Sequence, residues 1–132
     1  VDVIGVPGLV VEGNTILGAT AGLRLDGLDV APTTGARIEG NHIGLLPGNT
    51  LPFSGPPTTG YGVYVGHAEG TAVGGAAVET GRAPGNVIAG WVAGVLAIGT
   101  ASGAPSGTRI AGNLIGTDST GTEARPTGAG VW

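Results

Sequence analysis

Short apolar runs rich in Val, Ile and Leu alternate along the whole chain with Gly, Asn, Thr and Pro. Within these runs apolar and other residues follow the two-residue spacing of a β-strand. No stretch of about ten residues shows a 3.6-residue apolar period free of Gly, so no crossover helix is predicted. The pattern therefore predicts an all-β chain built from short strands.

The motif Gly-Asn-Xaa-Ile occurs four times, beginning at Gly13, Gly40, Gly85 and Gly112. The intervals between its Asn residues are 27, 45 and 27 residues, so the first pair of motifs maps onto the second pair with an offset of 72 residues. We therefore predict a single domain over residues 1–132, made of two copies of one unit, about 1–72 and 73–132.

Three kinds of short run recur in a fixed order around these motifs. The first kind comprises Val3-Ile4, Arg37-Ile38, Ala72-Val73 and Arg109-Ile110. The second kind comprises Thr15-Ile16, His42-Ile43, Val87-Ile88 and Leu114-Ile115. The third kind comprises Leu23-Arg24-Leu25, Val63-Tyr64-Val65, Val95-Leu96-Ala97 and Val131-Trp132. Three strands that recur in this way predict a winding chain.

A parallel sheet without crossover helices forms when the chain winds, because each strand then pairs with its equivalent one turn further on, at about 4.8 Å. We therefore predict a parallel β-helix, a solenoid of about four three-stranded coils. The stretches of irregular length are predicted to be corner loops, at Leu45–Gly60, Gly74–Pro84 and Thr117–Gly128. The strand-like sequences VDVIGV and GAGVW predict that the terminal coils are uncapped.

The Asn of the repeated motif is predicted to lie at a corner of each coil. Asn tolerates a left-handed backbone better than other non-Gly residues, and stacked Asn amides can bond to one another. We therefore expect a structural hydrogen-bonded ladder formed by Asn14, Asn41, Asn86 and Asn113. A binding role for the same column is the less favoured alternative.

The sequences GNTILG, GNHIGL, GNVIAG and GNLIGTDSTGT, with GYGVYV and GAGVW, resemble the right-handed parallel β-helix repeats of large bacterial cell-surface and secreted proteins. In that family a unit often reads NVISGN, GVxI, GNxIGTDxTGT and GxGVxI. The resemblance covers almost the whole chain and implies a right-handed helix and an extracellular or cell-surface location. The chain departs from the family in two places. Ala89-Gly90-Trp91 replaces the family's Asn after GNVI, and Leu45-Leu46-Pro47-Gly48-Asn49 stands where the first unit would have GTDxTGT.

Composition narrows the classes of partner. The chain has 29 Gly and 9 Pro but is 41% hydrophobic and has no Gly at every third position, which favours a turn-dense β protein over disorder or collagen. A net charge of −4 with five Arg and no Lys gives no basic surface for nucleic acid. No apolar run approaches the roughly 20 residues of a membrane span, and no cofactor is expected.

The acidic run Thr117–Thr122, with Asp118, invites comparison with a calcium site. Calcium takes about 6–8 oxygen ligands with several carboxylates, and a single Asp among hydroxyl groups does not supply them. We therefore predict a corner loop in which Asp118 bonds to its own backbone.

Catalysis is not predicted. Glycoside hydrolysis would require two carboxylates about 5–9.5 Å apart in a groove with aromatic residues. The candidates near strand ends are Asp26, Asp29, Glu39 and Glu69, with Arg37 and Arg109 as cations near a strand face and with His42 and His67, which do not recur in the second unit. No Lys is present to act as a base, and Leu114 stands at the position equivalent to His42. Solvated strand faces and loops are the favoured interpretation.

The middle residues of the third kind of run are predicted to point outward, because their neighbours point into the core. This stripe consists of Arg24, Tyr64, Leu96 and Trp132. It predicts either a contact with another chain or a sugar-binding face, and scattered exposed side chains are an equally compatible alternative.

The function that these features favour is that of a non-catalytic structural module. Open terminal coils should pair with further strands, so copies of the chain would stack end to end into a fibre, or the repeats would continue in a longer surface protein. Two alternatives remain open, a polysaccharide-binding adhesin and, less favoured, a polysaccharide-active enzyme.

Overall fold

A computed structural model describes residues 1–18, 20–28, 31–52, 59–76 and 84–132. In these ranges the chain forms strands and turns, and no helix. The predicted loops Leu45–Gly60 and Gly74–Pro84 lie partly outside the described residues. The strands are β1 (Asp2–Ile4), β2 (Val10–Glu12), β3 (Thr15–Ile16), β4 (Ala21–Asp26), β5 (Thr33–Thr34), β6 (Arg37–Glu39), β7 (His42–Ile43), β8 (Tyr61–Val65), β9 (Ala68–Glu69), β10 (Ala72–Gly74), β11 (Val87–Ile88), β12 (Ala93–Ala97), β13 (Arg109–Ala111), β14 (Leu114–Ile115) and β15 (Ala129–Val131).

The strands form four sheets, and every pairing between them is parallel. Sheet I has the order β1-β4-β8-β12-β15, sheet II the order β2-β6-β10-β13, sheet III the order β3-β7-β11-β14, and sheet IV contains β5 and β9. Along the chain, strands of sheets I, II and III follow one another in the same order each time. The prediction of an all-β chain with parallel strands is confirmed.

All members of the second and third kinds of run pair with one another in one sheet, as predicted, whereas one member of the first kind belongs to a different sheet. Val3 pairs with Leu25 in sheet I, so the prediction that Val3-Ile4 belongs with Arg37-Ile38 is wrong. That place is occupied by Val11, which pairs with Ile38. The physical reason lies in the turn, because β2 and β6 each end one residue before a Gly-Asn pair and this short connection sets the register.

The main core lies between sheets I, II and III. Its fully buried members include Leu23, Val63 and Val95 from sheet I, with Ile38 from sheet II and Ile88 from sheet III. A smaller cluster forms elsewhere, where Leu45 and Leu51 pack with Val87, Ala89 and Leu114.

Sheets I and III approach each other closely because glycines of one face isoleucines of the other. A methyl group added at Gly62 would lie 2.5 Å from Cγ2 of Ile88 and 2.6 Å from the carbonyl oxygen of Gly94. At Gly22 it would lie 2.7 Å from Cγ2 of Ile43. Real side chains cannot approach so closely, so these sheet I positions accept no side chain.

Trp91 fills space that the glycines leave open. Its side chain is 2% exposed, and its Nε1 donates a hydrogen bond to the carbonyl oxygen of Ile43 at 3.3 Å. A methyl group at Gly22 would lie 3.3 Å from Cζ2 of this ring, and one at Gly62 would lie 3.2 Å from Cδ1. Trp91, which belongs to the segment that departs from the repeat, therefore places its large ring beside Gly22 and Gly62, two residues without side chains.

This close packing predicts that Gly62→Ala destabilises the protein by about 1–3 kcal/mol, as expected for overpacking against a carbonyl group and a methyl group. Gly130→Ala is the matched control, because Gly130 occupies the same position of β15 and an added methyl group would have no described atom within 4 Å. Urea denaturation of both variants measures the difference. Equal midpoints for the two variants would contradict this account of the sheet contact.

Candidate functional site

The four repeated Asn residues form one hydrogen-bonded column. The side-chain Nδ2 of Asn14 donates to Oδ1 of Asn41 at 3.2 Å, that of Asn41 to Asn86 at 3.0 Å, and that of Asn86 to Asn113 at 2.8 Å. In each step the backbone N–H of the first residue donates to the same Oδ1 at 2.9 Å. Each step therefore repeats the same two bonds.

The second hydrogen of each side-chain amide is also used. It reaches a backbone carbonyl oxygen in every case, that of Glu12, Val11, Ile38 and Val73 in turn, at 2.8–2.9 Å. Asn41 and Asn86 are completely buried, and these contacts offset the cost of burying an amide.

The reason predicted for Asn at these positions is wrong in part. Among the described non-Gly residues only Asn49, with φ 64°, has a left-handed backbone, and the column residues do not. The preceding Gly13, Gly40 and Gly112 adopt φ of 63–66° instead. Gly therefore makes the turn, and Asn contributes the side-chain amide.

The column is open at both ends within the part of the chain that the structure describes. No donor there reaches Oδ1 of Asn14, and no acceptor there receives the backbone N–H of Asn113. One end therefore offers an acceptor and the other end offers a donor.

A groove of about 590 Å³ lies on the outer surface of sheet I, across β1, β4 and β8. It is lined by Val1, Asp2, Thr20, Ala21, Arg24, Tyr61 and Tyr64. Asp2, Arg24 and Tyr64 are neighbours in strand register, which brings two members of the predicted stripe together with an acidic side chain.

The rest of the predicted stripe lies outside this groove. Leu96 is next in register after Tyr64, yet it is only 7% exposed, so its predicted exposure is wrong. Its strand lies between β8 and β15, where Tyr64 and Trp132 are large enough to flank it at one strand spacing. Trp132 is 69% exposed and lies two strands away from Tyr64. The stripe is therefore interrupted.

Tyr61 was not among the predicted site residues. In β8 the two successive residues Gly62 and Val63 are both buried, which interrupts the alternation and places Tyr61 and Tyr64 on the same outer side. Their ring centroids are 6.1 Å apart and the rings are inclined by 46°. The repeated Xaa-Gly-Val or Xaa-Gly-Leu at the start of the sheet I strands is the signal that could have revealed this.

Arg24 is held in place by contacts on two sides. Its Nη2 donates to Oδ2 of Asp26 at 2.8 Å, and its guanidinium carbon lies 5.4 Å from the ring centroid of Tyr64. Oδ1 of Asp26 accepts the backbone N–H groups of Gly27 at 2.9 Å and His67 at 3.0 Å. The guanidinium of Arg24 is therefore held by the carboxylate of Asp26, which two backbone N–H groups orient.

These contacts set the charge states beside the groove. Burial opposes ionisation of Asp26, but the hydrogen bonds from the backbone and the charge of Arg24 outweigh it, so the pKa of Asp26 is lowered from 3.8. Burial, and next the charge of Asp26, raise the pKa of Tyr64 from 10.0. At neutral pH the groove therefore presents an un-ionised phenol beside an ion pair.

Of the carboxylates considered for catalysis, the described residues Asp26, Glu39 and Glu69 do not line this groove. Glu39 forms an ion pair with Arg37 at 3.2 Å, and Glu69 is exposed on β9. Asp29 lies outside the described residues. No group of three or more potential metal ligands occurs among the residues that the structure describes.

The remaining ionisable candidates are also separate from the groove. Arg109 is exposed opposite Ala72 in sheet II, and His42 is half-buried between Thr15 and Val87 in sheet III. Nδ1 of His67 is buried and has no hydrogen-bond partner in the described part of the chain.

The loop Thr117–Thr122 is a turn organised by Asp118, as predicted. Oδ1 of Asp118 accepts the N–H groups of Thr120 and Thr122 at 3.1 Å, and the Thr120 hydroxyl donates to the same carboxylate at 2.8–2.9 Å. The Thr120 hydroxyl is the largest cause that lowers the pKa of Asp118 from 3.8. The carboxylate of Asp118 is therefore bonded to N–H and hydroxyl groups of its own loop.

The two loops at which the repeated units differ are bonded to each other. The backbone N–H of Ser119 donates to Oδ1 of Asn49 at 3.1 Å, and Nε of Arg125 donates to the Asn49 carbonyl oxygen at 2.9 Å. In the first unit the loop with the left-handed Asn49 thus stands in place of the Thr-Asp turn. The same Asn49 accepts hydrogen bonds from the loop that contains this turn in the second unit.

No protein-family model, curated protein or solved structure matches this chain. None of the described residues belongs to a helix long and apolar enough to cross a membrane.

The buried column predicts that Asn86→Ala destabilises the protein by about 1–3 kcal/mol or more, because two donors of Asn41 and the carbonyl oxygen of Ile38 lose their partner. Asn14→Ala is the control at the exposed end and should cost clearly less, since its backbone N–H still bonds to Asn41. Urea denaturation distinguishes the two, and equal losses would contradict a role for burial in the column.

The lowered pKa of Asp26 predicts an effect of acid on stability. A carboxyl group with a depressed folded-state pKa contributes stability above its unfolded pKa of about 3.9, and this is lost as pH falls through the folded value. Asp26→Asn should therefore destabilise the protein at pH 7, by about 1.5–3 kcal/mol for its charged hydrogen bonds, and much less at pH 2. Urea midpoints at both values test this, with the exposed Glu69→Gln as control; an equal loss at pH 2 would contradict it.

Proposed function

We propose that the chain is a non-catalytic structural module, a right-handed parallel β-helix that forms a rigid segment of an extracellular or cell-surface assembly. Sheets I, II and III would be successive faces of about four coils around the shared core. The cyclic order of the strands and the in-register parallel pairing support the winding. The handedness and the location rest on the resemblance of the repeats to bacterial surface proteins.

The Asn column carries this proposal. Its steps are all alike, and each points in the same direction, from the donor groups of one residue to the oxygen of the next. Within the described residues, the side-chain oxygen of Asn14 and the backbone N–H of Asn113 have no partner, and the two are complementary. The amide hydrogens of Asn113 bond to the carbonyl oxygens of Val73 and Ala111, so a further layer could join either end by the backbone bond of each step, in the head-to-tail geometry that builds filaments.

The edge strands of sheet I offer the same complementarity. The carbonyl oxygen of Val1 and the N–H of Gly5 bond to β4, so the backbone groups of Ile4 point to the open edge, because neighbouring residues face opposite sides. At β15 both backbone groups of Trp132 bond to β12, so those of Val131 point outward. Ile4 and Val131 also expose about half of their side chains.

No other described strand pairs with these two edges, and backbone groups left unpaired beside apolar side chains are a template for strand addition. Such strands could come from continuing repeats of the same chain or from a second copy. Both sources give one function, the extension of a stiff hydrogen-bonded rod.

We predict that the 132-residue chain associates end to end in solution and forms rods of stepwise increasing length. Ile4→Pro and Val131→Pro should each lower the association constant at least about tenfold, because proline removes an outward N–H. Ile4→Val is the matched control, since it keeps the donor. Light scattering and negative-stain images measure the outcome.

Val3→Pro is not a suitable probe of the edge, because the N–H of Val3 faces β4 and its loss weakens the sheet itself. Only monomers of the unmodified chain at high concentration, or proline variants that assemble normally, would contradict the proposal.

A further inference from the structure

We propose that the groove on sheet I is a binding site for an uncharged saccharide. The inference is independent of the rod function, because the groove lies on the outer surface of β1, β4 and β8 and not on the edge strand groups used for stacking. It replaces the predicted stripe with a site defined by Tyr61, Tyr64, Arg24 and Asp2.

The two tyrosines supply the apolar part of the site. A pyranose ring has faces of C–H groups and a rim of hydroxyls, so it requires an aromatic surface next to hydrogen-bonding groups. Tyr61 and Tyr64 are half-buried, and their rings are 6.1 Å apart and inclined by 46°. Ala21 pairs with Tyr61 in strand register, and its small side chain leaves room beside that ring. The result is a concave surface with two amphipathic walls.

Arg24 supplies hydrogen-bond donors in a fixed direction. A guanidinium carries five N–H donors, of which one bonds to Asp26 within the described residues. The side chain is 42% exposed, and the ring of Tyr64 lies against it at 5.4 Å. Because Asp26 is anchored by two backbone N–H groups, little side-chain freedom is lost when a ligand hydroxyl binds the remaining donors.

The charge of the site favours a neutral ligand. The side chains that line it contribute one cation, Arg24, and one carboxylate, Asp2; Asp26 lies beside the groove, paired with Arg24, and the whole chain carries −4. The guanidinium is already paired with Asp26 at 2.8 Å, so the side chains around the groove offer an anionic sugar no excess of positive charge. Asp2 and the hydroxyl of Thr20 can instead accept hydrogen bonds from sugar hydroxyls.

The size and direction of the groove suit a short stretch of polysaccharide. Its volume of about 590 Å³ lies inside the range of about 300–1,000 Å³ that is usual for small-molecule sites. It crosses three hydrogen-bonded strands, so it extends across them in the direction of stacking. Several sugar units could therefore lie along it.

The test is titration with the neutral oligosaccharides cellohexaose and mannohexaose, and with hexagalacturonate as the anionic probe. Calorimetry gives the affinities, and ¹H–¹⁵N NMR of the unmodified protein locates the site. We expect a neutral probe to bind with amide shifts centred on Ala21, Tyr61 and Tyr64. Tyr61→Ala and Tyr64→Ala should each lower the affinity at least tenfold, whereas Tyr61→Phe should retain most of it.

Trp132→Ala is the matched control, because it removes an exposed aromatic side chain from the same sheet but outside the groove. When both are titrated as monomers, so that no stacked copy brings Trp132 next to β1, its affinity should equal that of the unmodified chain. If Tyr64→Ala does not fold, Tyr61→Ala and the NMR map decide alone. The proposal is overturned if neither neutral probe binds, if the shifts lie elsewhere, or if hexagalacturonate binds more tightly. Assembly is measured separately, so failure here leaves the rod function untouched.

Discussion

The structure depends on in-register parallel pairing, in which each strand lies one strand spacing from the equivalent strand of the next repeat along the chain. This constraint sorts side chains into columns, because residues at equivalent positions become neighbours. A column can therefore contain buried polar side chains that would lack hydrogen-bond partners at an isolated site. Asn41 and Asn86 are completely buried amides, and they are acceptable because the residues before and after them in the column supply the missing partners.

The same constraint explains where irregularity is allowed. Inside, glycines of sheet I face isoleucines of sheet III, and this contact leaves no room for change. Outside, the two units carry different loops, and Asn49 and Arg125 join them by hydrogen bonds. The groove is another outward variation, since Tyr61 and Tyr64 occupy positions that hold Ala21 and Arg24 in the neighbouring strand. Outward-facing side chains and loops can therefore differ from one repeat to the next while the packed side chains between the sheets stay alike.

Much of the strand pairing could be predicted from the sequence because the same short runs recur in a fixed order. The interval between Gly-Asn pairs gives Val87 as the partner of His42, whereas Arg37 and Tyr64 find their partners Ala72 and Leu96 at other intervals, which only the recurring runs reveal. What could not be predicted depends on contacts between layers that are distant in sequence. Val3-Ile4 resembles other runs locally, and only the distance to the following turn assigns it to sheet I.

The candidate site was predicted to a smaller extent, for a related reason. Alternation places Leu96 outward but does not tell how far its larger neighbours cover it. Strict alternation does not place Tyr61 on the same side as Tyr64, because the successive residues Gly62 and Val63 are both buried and break the alternation. The burial of Trp91 has a practical consequence, since the chain's two indole groups report on different events. Trp91, in a dry interior, should emit at short wavelength and respond to loss of the core, whereas the exposed Trp132 should emit at long wavelength and respond to whatever covers the last strand.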